Sequence, residues 1–501
     1  MTLSDSTAGK RQAYAKGSTA VVVGGGFGGI AAALRLRAKG YGVTLFDRCE
    51  RAGGRAQVFE ESGYRHDAGP TVITAPFLFE ELFALFGKRL EDYVTFVPLD
   101  PWYRFYFPDG DTFDYGGTFE KTIAEIRRIE PNDEAGYRKL IEHSKRIYEV
   151  GFEKLADQPF HAPWTMVKQI PQLVRLRSDR TVWQLVSSHL KNDKLRQAFS
   201  IQPLLVGGNP FETTSIYGLI HYLEKQWGVY FAMGGTGQLV RSLTKLMQEE
   251  GVDLRLGETV TEIQLANRKA TGVQLENGTS VRADFVVSNV DPLYLYNKML
   301  PKGALSIAPK LKLRSRKSMG LYVLYFGTDR QYQDIAHHTI WLGERYRELL
   351  HDIFNRKVLT DDFSLYVHRP TATDPSLAPP GHETFYVLCP VPNLDGNVDW
   401  EREGPRLQER IVEALDATMM PGLKICIRAP FFMTPVDFEE RYLSVAGAGF
   451  SIAPHFTQSA WFRFHNRAEG IGNLYLVGAG THPGAGLPGV LSSAKVLERM
   501  I

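Results

Sequence analysis

Thr19-Ala20-Val21-Val22-Val23-Gly24-Gly25-Gly26-Phe27-Gly28-Gly29-Ile30 is the stretch that decides the fold of this chain. The apolar run from Thr19 to Val23 reads as a buried parallel strand. The glycines read as a turn, and the alanine- and leucine-rich stretch from Ile30 to Lys39 as a helix that Gly40 stops. A second apolar strand, Val43 to Phe46, ends on Asp47. Strand, turn, helix and acid together form a dinucleotide fingerprint. In it Gly24 makes the turn and Gly26 lets the backbone approach a pyrophosphate. Gly29 allows close helix and strand packing, and Asp47 accepts from the adenosine ribose hydroxyls. A bare G-x-G-x-x-G would be weak evidence; here its strand, helix and acid all stand in order.

Six residues beyond Asp47 comes Gly53-Gly54-Arg55, and then Asp67-Ala68-Gly69-Pro70-Thr71. This succession resembles the two-dinucleotide-binding flavoproteins. The resemblance implies that Gly54 and Arg55 sit beside an FAD pyrophosphate, with the arginine giving charge-assisted hydrogen bonds. It also implies that Gly69, Pro70 and Thr71 pass near the flavin ring. Close to the C-terminus, Asn473-Leu474-Tyr475-Leu476-Val477 is a short apolar strand running into Gly478-Ala479-Gly480-Thr481-His482-Pro483-Gly484-Ala485-Gly486-Leu487-Pro488-Gly489, with a helix predicted from Val490. Five glycines in twelve residues can bring bare backbone against a ligand, and a helix start offers unpaired N–H groups to an anion or a polar ring edge. Gly480, Thr481, Gly489 and Val490 are the candidate contacts there.

Composition fits an enzyme that handles something greasy. The 501 residues suggest two or three domains, and Lys plus Arg at 58 against Asp plus Glu at 56 gives nothing that points to nucleic acid. Aromatics are many, with 29 Phe, 22 Tyr and 7 Trp, and most of them must serve a large core. Cys49, Cys389 and Cys426 are widely spaced and form no metal or redox motif, which fits a reducing cytosol. Residues 1–18 lack an apolar run and read as a flexible tail. No apolar run approaches the ~20 residues that cross a bilayer, so any membrane association is peripheral and the expected location is cytoplasmic.

The fold class expected is α/β: a Rossmann-like FAD-binding domain assembled from discontinuous segments, with an α+β substrate domain carrying a helical, membrane-facing part. Residues 19–75, 230–300 and 456–501 would build the first domain, 76–229 and 301–455 the second. After residue 75 the pattern turns helical and mixed, with helices at Phe79 to Phe86, Thr122 to Ile129 and Tyr137 to Val150. Gly234-Gly235-Thr236-Gly237 caps a helix from Gln238 to Glu249. Strands follow at Asp253 to Leu256, Val260 to Leu265, Thr271 to Glu276 and Thr279 to Val287, the last two joined by an Asn277-Gly278 hairpin signal. Further strand candidates are Gly320 to Phe326, Phe363 to His368 and Thr384 to Leu388. No second strand, G-x-G-x-x-G and helix unit follows, so bound NAD(P)H is not expected.

From about residue 19 to its end the chain resembles the bacterial-type phytoene desaturases, carotenoid desaturases that need only FAD. The C-terminal glycine loop carries the resemblance. So do Asp67 to Ile73, Leu205-Val206-Gly207-Gly208-Asn209-Pro210-Phe211, Trp227-Gly228-Val229, Ala336-His337-His338-Thr339 and Thr457-Gln458-Ser459-Ala460-Trp461-Phe462. The resemblance implies non-covalent FAD, a backbone contact from Val260 to adenine, a carotenoid hydrocarbon substrate, and repeated two-electron steps ending at lycopene or a shorter product. It also implies O2 or a quinone as electron acceptor and access to a lipid surface.

Two points depart from that pattern. The family's acid and arginine, one helical turn apart after a segment like Phe152-Glu153-Lys154-Leu155, correspond to Thr165 and Lys168, so the acid is missing and Lys168 alone stands as a candidate. His337 and His338 are adjacent, and in a strand they would point apart rather than share a metal. Trp164, Val167, Ile170, Leu173 and Val174 follow helical spacing among Lys168, Arg175, Arg177 and Arg180, as a tunnel mouth on lipid headgroups would, or as an ordinary packed helix would. Rival functions are a carotenoid isomerase using reduced FAD, a flavin amine oxidase, and a flavin-free lipid carrier on the same scaffold.

Overall fold

The computed structural model describes residues 14–160, 169, 171–172 and 175–501. A five-stranded parallel sheet has the order Leu474–Leu476, Phe285–Ser288, Thr19–Val23, Gly42–Asp47, Asp253–Leu256. Three stretches far apart in sequence thus meet in one sheet. The central strand shows why its sequence is a continuous apolar run. Ala20 and Val22 pack into one core cluster and Val21 and Val23 into another, so both faces are covered. The helix Phe27–Ala38 lies on the first face, its Ile30, Leu34 and Leu36 sharing that core with Leu491 and Leu497 of the C-terminal helix Leu487–Met500.

A three-stranded antiparallel sheet, Val260–Ala266, Lys269–Leu275 and Ser280–Arg282, follows the edge strand. The expected single strand Thr279 to Val287 is two. Ser280–Arg282 closes the hairpin, the chain turns at Ala283 and Asp284, and Phe285–Ser288 enters the parallel sheet. An apolar run read along one line cannot show that its ends pair in different sheets. Gly278 takes the left-handed conformation of the hairpin, with φ 84°.

The second large sheet has seven strands, ordered Ile427–Met433, Gly320–Thr328, Glu383–Val391, Leu365–His368, His338–Trp341, Tyr103–Tyr106, Thr112–Tyr115. Only the His338–Trp341 and Tyr103–Tyr106 pair is parallel. Residues 103–115, expected within a helical and mixed region, therefore add a hairpin to this sheet. Along Gly320–Thr328, Tyr322, Leu324 and Phe326 face one core shared with the helix Trp400–Ala417, while Leu321, Val323 and Tyr325 face another. Tyr14, read as part of the tail, stacks on Phe285 with ring centroids 4.3 Å apart. No described helix is long and apolar enough to cross a membrane.

Candidate functional site

Two helix N-termini converge on one cavity. The helix Phe27–Ala38 begins at Gly26 with no side-chain cap, and the helix Leu487–Met500 begins at Gly486 in the same way. Their first N–H groups are left for a ligand. Gly24 turns with φ 94°. A Cβ on Gly29 would stand 1.9 Å from the Gly24 carbonyl oxygen, so only glycine fits where the helix crosses the strand. A Cβ on Gly26 would fill the space in front of Asn289, 2.9 Å from its Nδ2. Asp47 ends its strand with Oδ2 accepting from Gly25 N at 2.6 Å and Oδ1 from Cys49 N at 2.8 Å. Burial raises its pKa, and these N–H bonds oppose the rise.

Gly24, Gly26, Asp47, Gly54, Arg55, Gly69, Pro70, Thr71, Val260, Gly480, Gly489 and Val490 all line this cavity. Gly29 stands behind the wall in the packing role its spacing predicts. Thr481 also stands behind it: the residue is fully buried and its Oγ1 donates to Gly478 O at 2.9 Å. Lys168 and Thr165, and most of the Trp164 to Val174 stretch, lie outside the described residues. Arg55 donates from Nη2 to Ser444 Oγ at 2.6 Å and keeps an unpartnered Nε, with Asp291 the opposing charge that acts on it most. Burial lowers the Arg55 pKa and raises that of Asp291, and each group opposes the other's shift. Unspent N–H groups, an incompletely partnered guanidinium and a glycine-bared floor fit a dinucleotide pyrophosphate, and FAD would be held here by the two helix starts, Arg55 and Asp47.

Several functional side chains escaped the sequence reading. Arg463 is 1% exposed and, among the described residues, forms no ion pair. Its Nε donates to Thr481 O at 3.0 Å and its Nη2 to Ala479 O at 2.6 Å, so a buried guanidinium holds the C-terminal loop by its carbonyls. Asn289 donates to Gly24 O at 3.3 Å and joins the first loop to the last. Asp67, in the loop expected at the flavin, instead caps a helix: its oxygens accept from Thr236 N at 2.8 Å and Gly237 N at 3.1 Å.

His337 and His338 do not point apart. His338 opens the strand His338–Trp341 while His337 lies just before it, and their rings meet with centroids 4.6 Å apart. With His368, one ring nitrogen from each falls within 4.8 Å of the others. Burial lowers all three pKa values. His337 Nδ1 bonds to Thr373 Oγ1 and His338 Nδ1 to Tyr366 Oη, both at 2.7 Å, and Tyr366 Oη reaches Thr71 Oγ1 at 2.6 Å.

Beyond Thr71 the cavity becomes an apolar channel. One wall is the seven-stranded sheet, with Leu321, Ile340, Tyr366 and Leu388, and the other is helical, with Ile147, Leu204 and Ile220. Such a site belongs to a flavin-dependent oxidoreductase acting on a largely apolar substrate. Residues 27–496 match the family described as flavin containing amine oxidoreductase, and the chain belongs to that family. It is 46% identical over 476 residues to a lycopene-forming phytoene desaturase of Pantoea ananas, covering 95% of this chain and 97% of that one. It is 43% identical over 489 residues to a neurosporene-forming phytoene desaturase of Rhodobacter capsulatus, covering 96% and 93%. Among solved structures it resembles putrescine oxidase with putrescine bound, at a TM-score of 0.64 and 14% identity over 96% of this chain and 98% of that one, which shows the shared fold.

Proposed function

We propose that this protein is an FAD-dependent phytoene desaturase of carotenoid biosynthesis. The observation that carries the reading is the junction at Thr71. There, Thr71 of a cofactor loop bonds Tyr366 of the sheet that lines the apolar part of the same cavity, in a chain 46% identical to a lycopene-forming phytoene desaturase. FAD supplies the two-electron acceptor. The channel's own residues bind the polyene, align one saturated C–C bond, and exclude water so that positive charge developing beside the conjugated system is not quenched. The parallel sheet segments and the C-terminal loop would serve the cofactor, and the seven-stranded sheet with its helices the substrate. The product is lycopene or a less desaturated carotene, the terminal acceptor is O2 or a quinone, and no nicotinamide is required.

Substrate of this kind is held in lipid, and we infer peripheral membrane contact. Ile307 and Leu311, one helical turn apart, are 78% and 60% exposed, and Lys302, Lys310 and Arg314 are exposed around them. The neighbouring stretch supplies Ser459 and Ala460 to the cavity lining. The function is tested by incubating the protein and FAD with liposomes containing phytoene, under air and then anaerobically with a quinone. New conjugated absorption supports a desaturase. A change of geometric isomer alone would support an isomerase, and no change under either condition refutes both.

A further inference from the structure

We propose that Glu224 is the proton acceptor of the desaturation, an inference that rests on the functional reading above. Each round removes two hydrogens from adjacent carbons. One would leave as hydride, its electron pair taken up by FAD when bound. The C–H pair on the neighbouring carbon becomes the new π bond, and that proton needs a base. The described wall of the cavity holds four carboxyls. Asp47 and Glu258 stand at the fingerprint, where Glu258 N donates to Asp47 O at 3.0 Å, and Asp291 faces Arg55. Glu224, of these four among the described lining residues, stands away from the fingerprint and Arg55, on the helix that also lends Leu219, Ile220 and Leu223 to the lining.

Its setting orients the group and leaves it free to accept. Glu224 is 1% exposed, on the helix Leu219–Trp227. Tyr103 Oη donates to its Oε1 at 3.0 Å and Tyr115 Oη to its Oε2 at 3.2 Å, which fixes the plane of the carboxylate; with Gln202 beside it, one of the four lone-pair sites is left to accept. Among the described residues no cation opposes it. The groups facing it are Tyr103 and Tyr115 from the sheet, Tyr137 from the helix Glu134–Gly151, and Gln202; His221, one turn earlier on its own helix, is kept neutral by burial. Burial raises its pKa to about 7, and the two tyrosine hydroxyls and Gln202 resist that rise. A base poised there can accept a proton near neutral pH.

The test compares wild type with Glu224→Gln and Glu224→Asp. Flavin bleaching in a single turnover on phytoene liposomes should rise with pH through about 7 in wild type. It should fall about 10²-fold or more in Glu224→Gln, the scale of general-base catalysis, and recover in part in Glu224→Asp. Flavin content and retained phytoene should be unchanged in both variants. A carboxylic-acid C=O band in the infrared, read without substrate, should titrate over the same pH range and vanish in Glu224→Gln. Undiminished bleaching in Glu224→Gln, or a wild-type band that does not titrate there, overturns the proposal. Should Glu224→Gln lose its flavin, Glu224→Asp decides alone: a pH profile identical to wild type at full rate overturns the proposal equally. A wild type that never bleaches with phytoene overturns the functional reading instead.

Discussion

Arg463 and Gly480 act on the same loop from opposite sides, one by filling space and one by leaving it empty. A Cβ on Gly480 would stand 2.3 Å from Pro292 Cδ and 2.8 Å from Ser451 Oγ. Gly480→Ala should therefore displace the loop and lower the flavin absorbance per protein at least several-fold, while far-ultraviolet circular dichroism stays near wild type. Arg463→Met removes the donors to Thr481 O and Ala479 O and leaves those carbonyls unpaired in a dry interior, which costs about 1–3 kcal/mol per group. Thermal melting should fall by several degrees, and Arg463→Lys should recover only part because its single ammonium cannot match a planar fork. The glycines of this site were legible in the sequence because their rule is local: a turn, a close approach, a fixed spacing. Arg463 and Asp291 were not, because no local motif marks a buried arginine that serves carbonyls 16 and 18 positions on, or an acid whose opposing charge, Arg55, lies 236 positions back, and Glu224 depends on Tyr103 and Tyr115 more than a hundred residues upstream.

Among the elements, those whose pairing stays within one sheet or one helix read best. Thr19–Val23, Asp253–Leu256 and the helix Thr236–Glu249 lie at or within a few residues of their expected bounds, because one sheet or one helix face sets their pattern. Tyr103–Tyr106 and Thr112–Tyr115 were missed, since a hairpin of aromatics with Arg104 and Asp114 on its outer face carries the same residues as an amphipathic helix. His337 was misjudged for a related reason: the strand starts one residue later, which rotates its ring onto His338. The helix Leu487–Met500 begins three residues before the expected Val490, with Pro488 in its first turn, where a missing N–H costs nothing. Asp67 links two elements by capping the helix Thr236–Glu249 from the strand Tyr64–Asp67. Asp67→Asn keeps one acceptor and loses the charge at a helix N-terminus. Stability should fall by about 1–2 kcal/mol in urea unfolding, with Thr71 and the flavin spectrum little altered.

For the whole molecule the channel decides both where the protein works and how its stability responds to pH. If Ile307 and Leu311 rest in lipid, replacing both by Glu should lower co-sedimentation with anionic vesicles several-fold, raise the salt sensitivity of what binding remains, and leave the flavin spectrum unchanged. Glu224 makes a second, independent signature. Its folded pKa of about 7 stands above the ordinary carboxylate value of 4.5, so the folded chain holds that proton more tightly than the unfolded one. The stabilisation from proton binding is complete below about pH 4.5 and is lost as pH rises through 7, after which the buried charge costs about 3 kcal/mol. Glu224→Gln carries no charge at any pH. Its melting temperature should gain on wild type by a few degrees between pH 5 and pH 8, as differential scanning calorimetry on the flavin-loaded proteins would read. Parallel melting curves across that range would mean that the carboxyl ionises at its ordinary pKa and that the channel is wetter at Tyr103 and Tyr115 than its lining by Leu219, Ile220 and Leu223 implies.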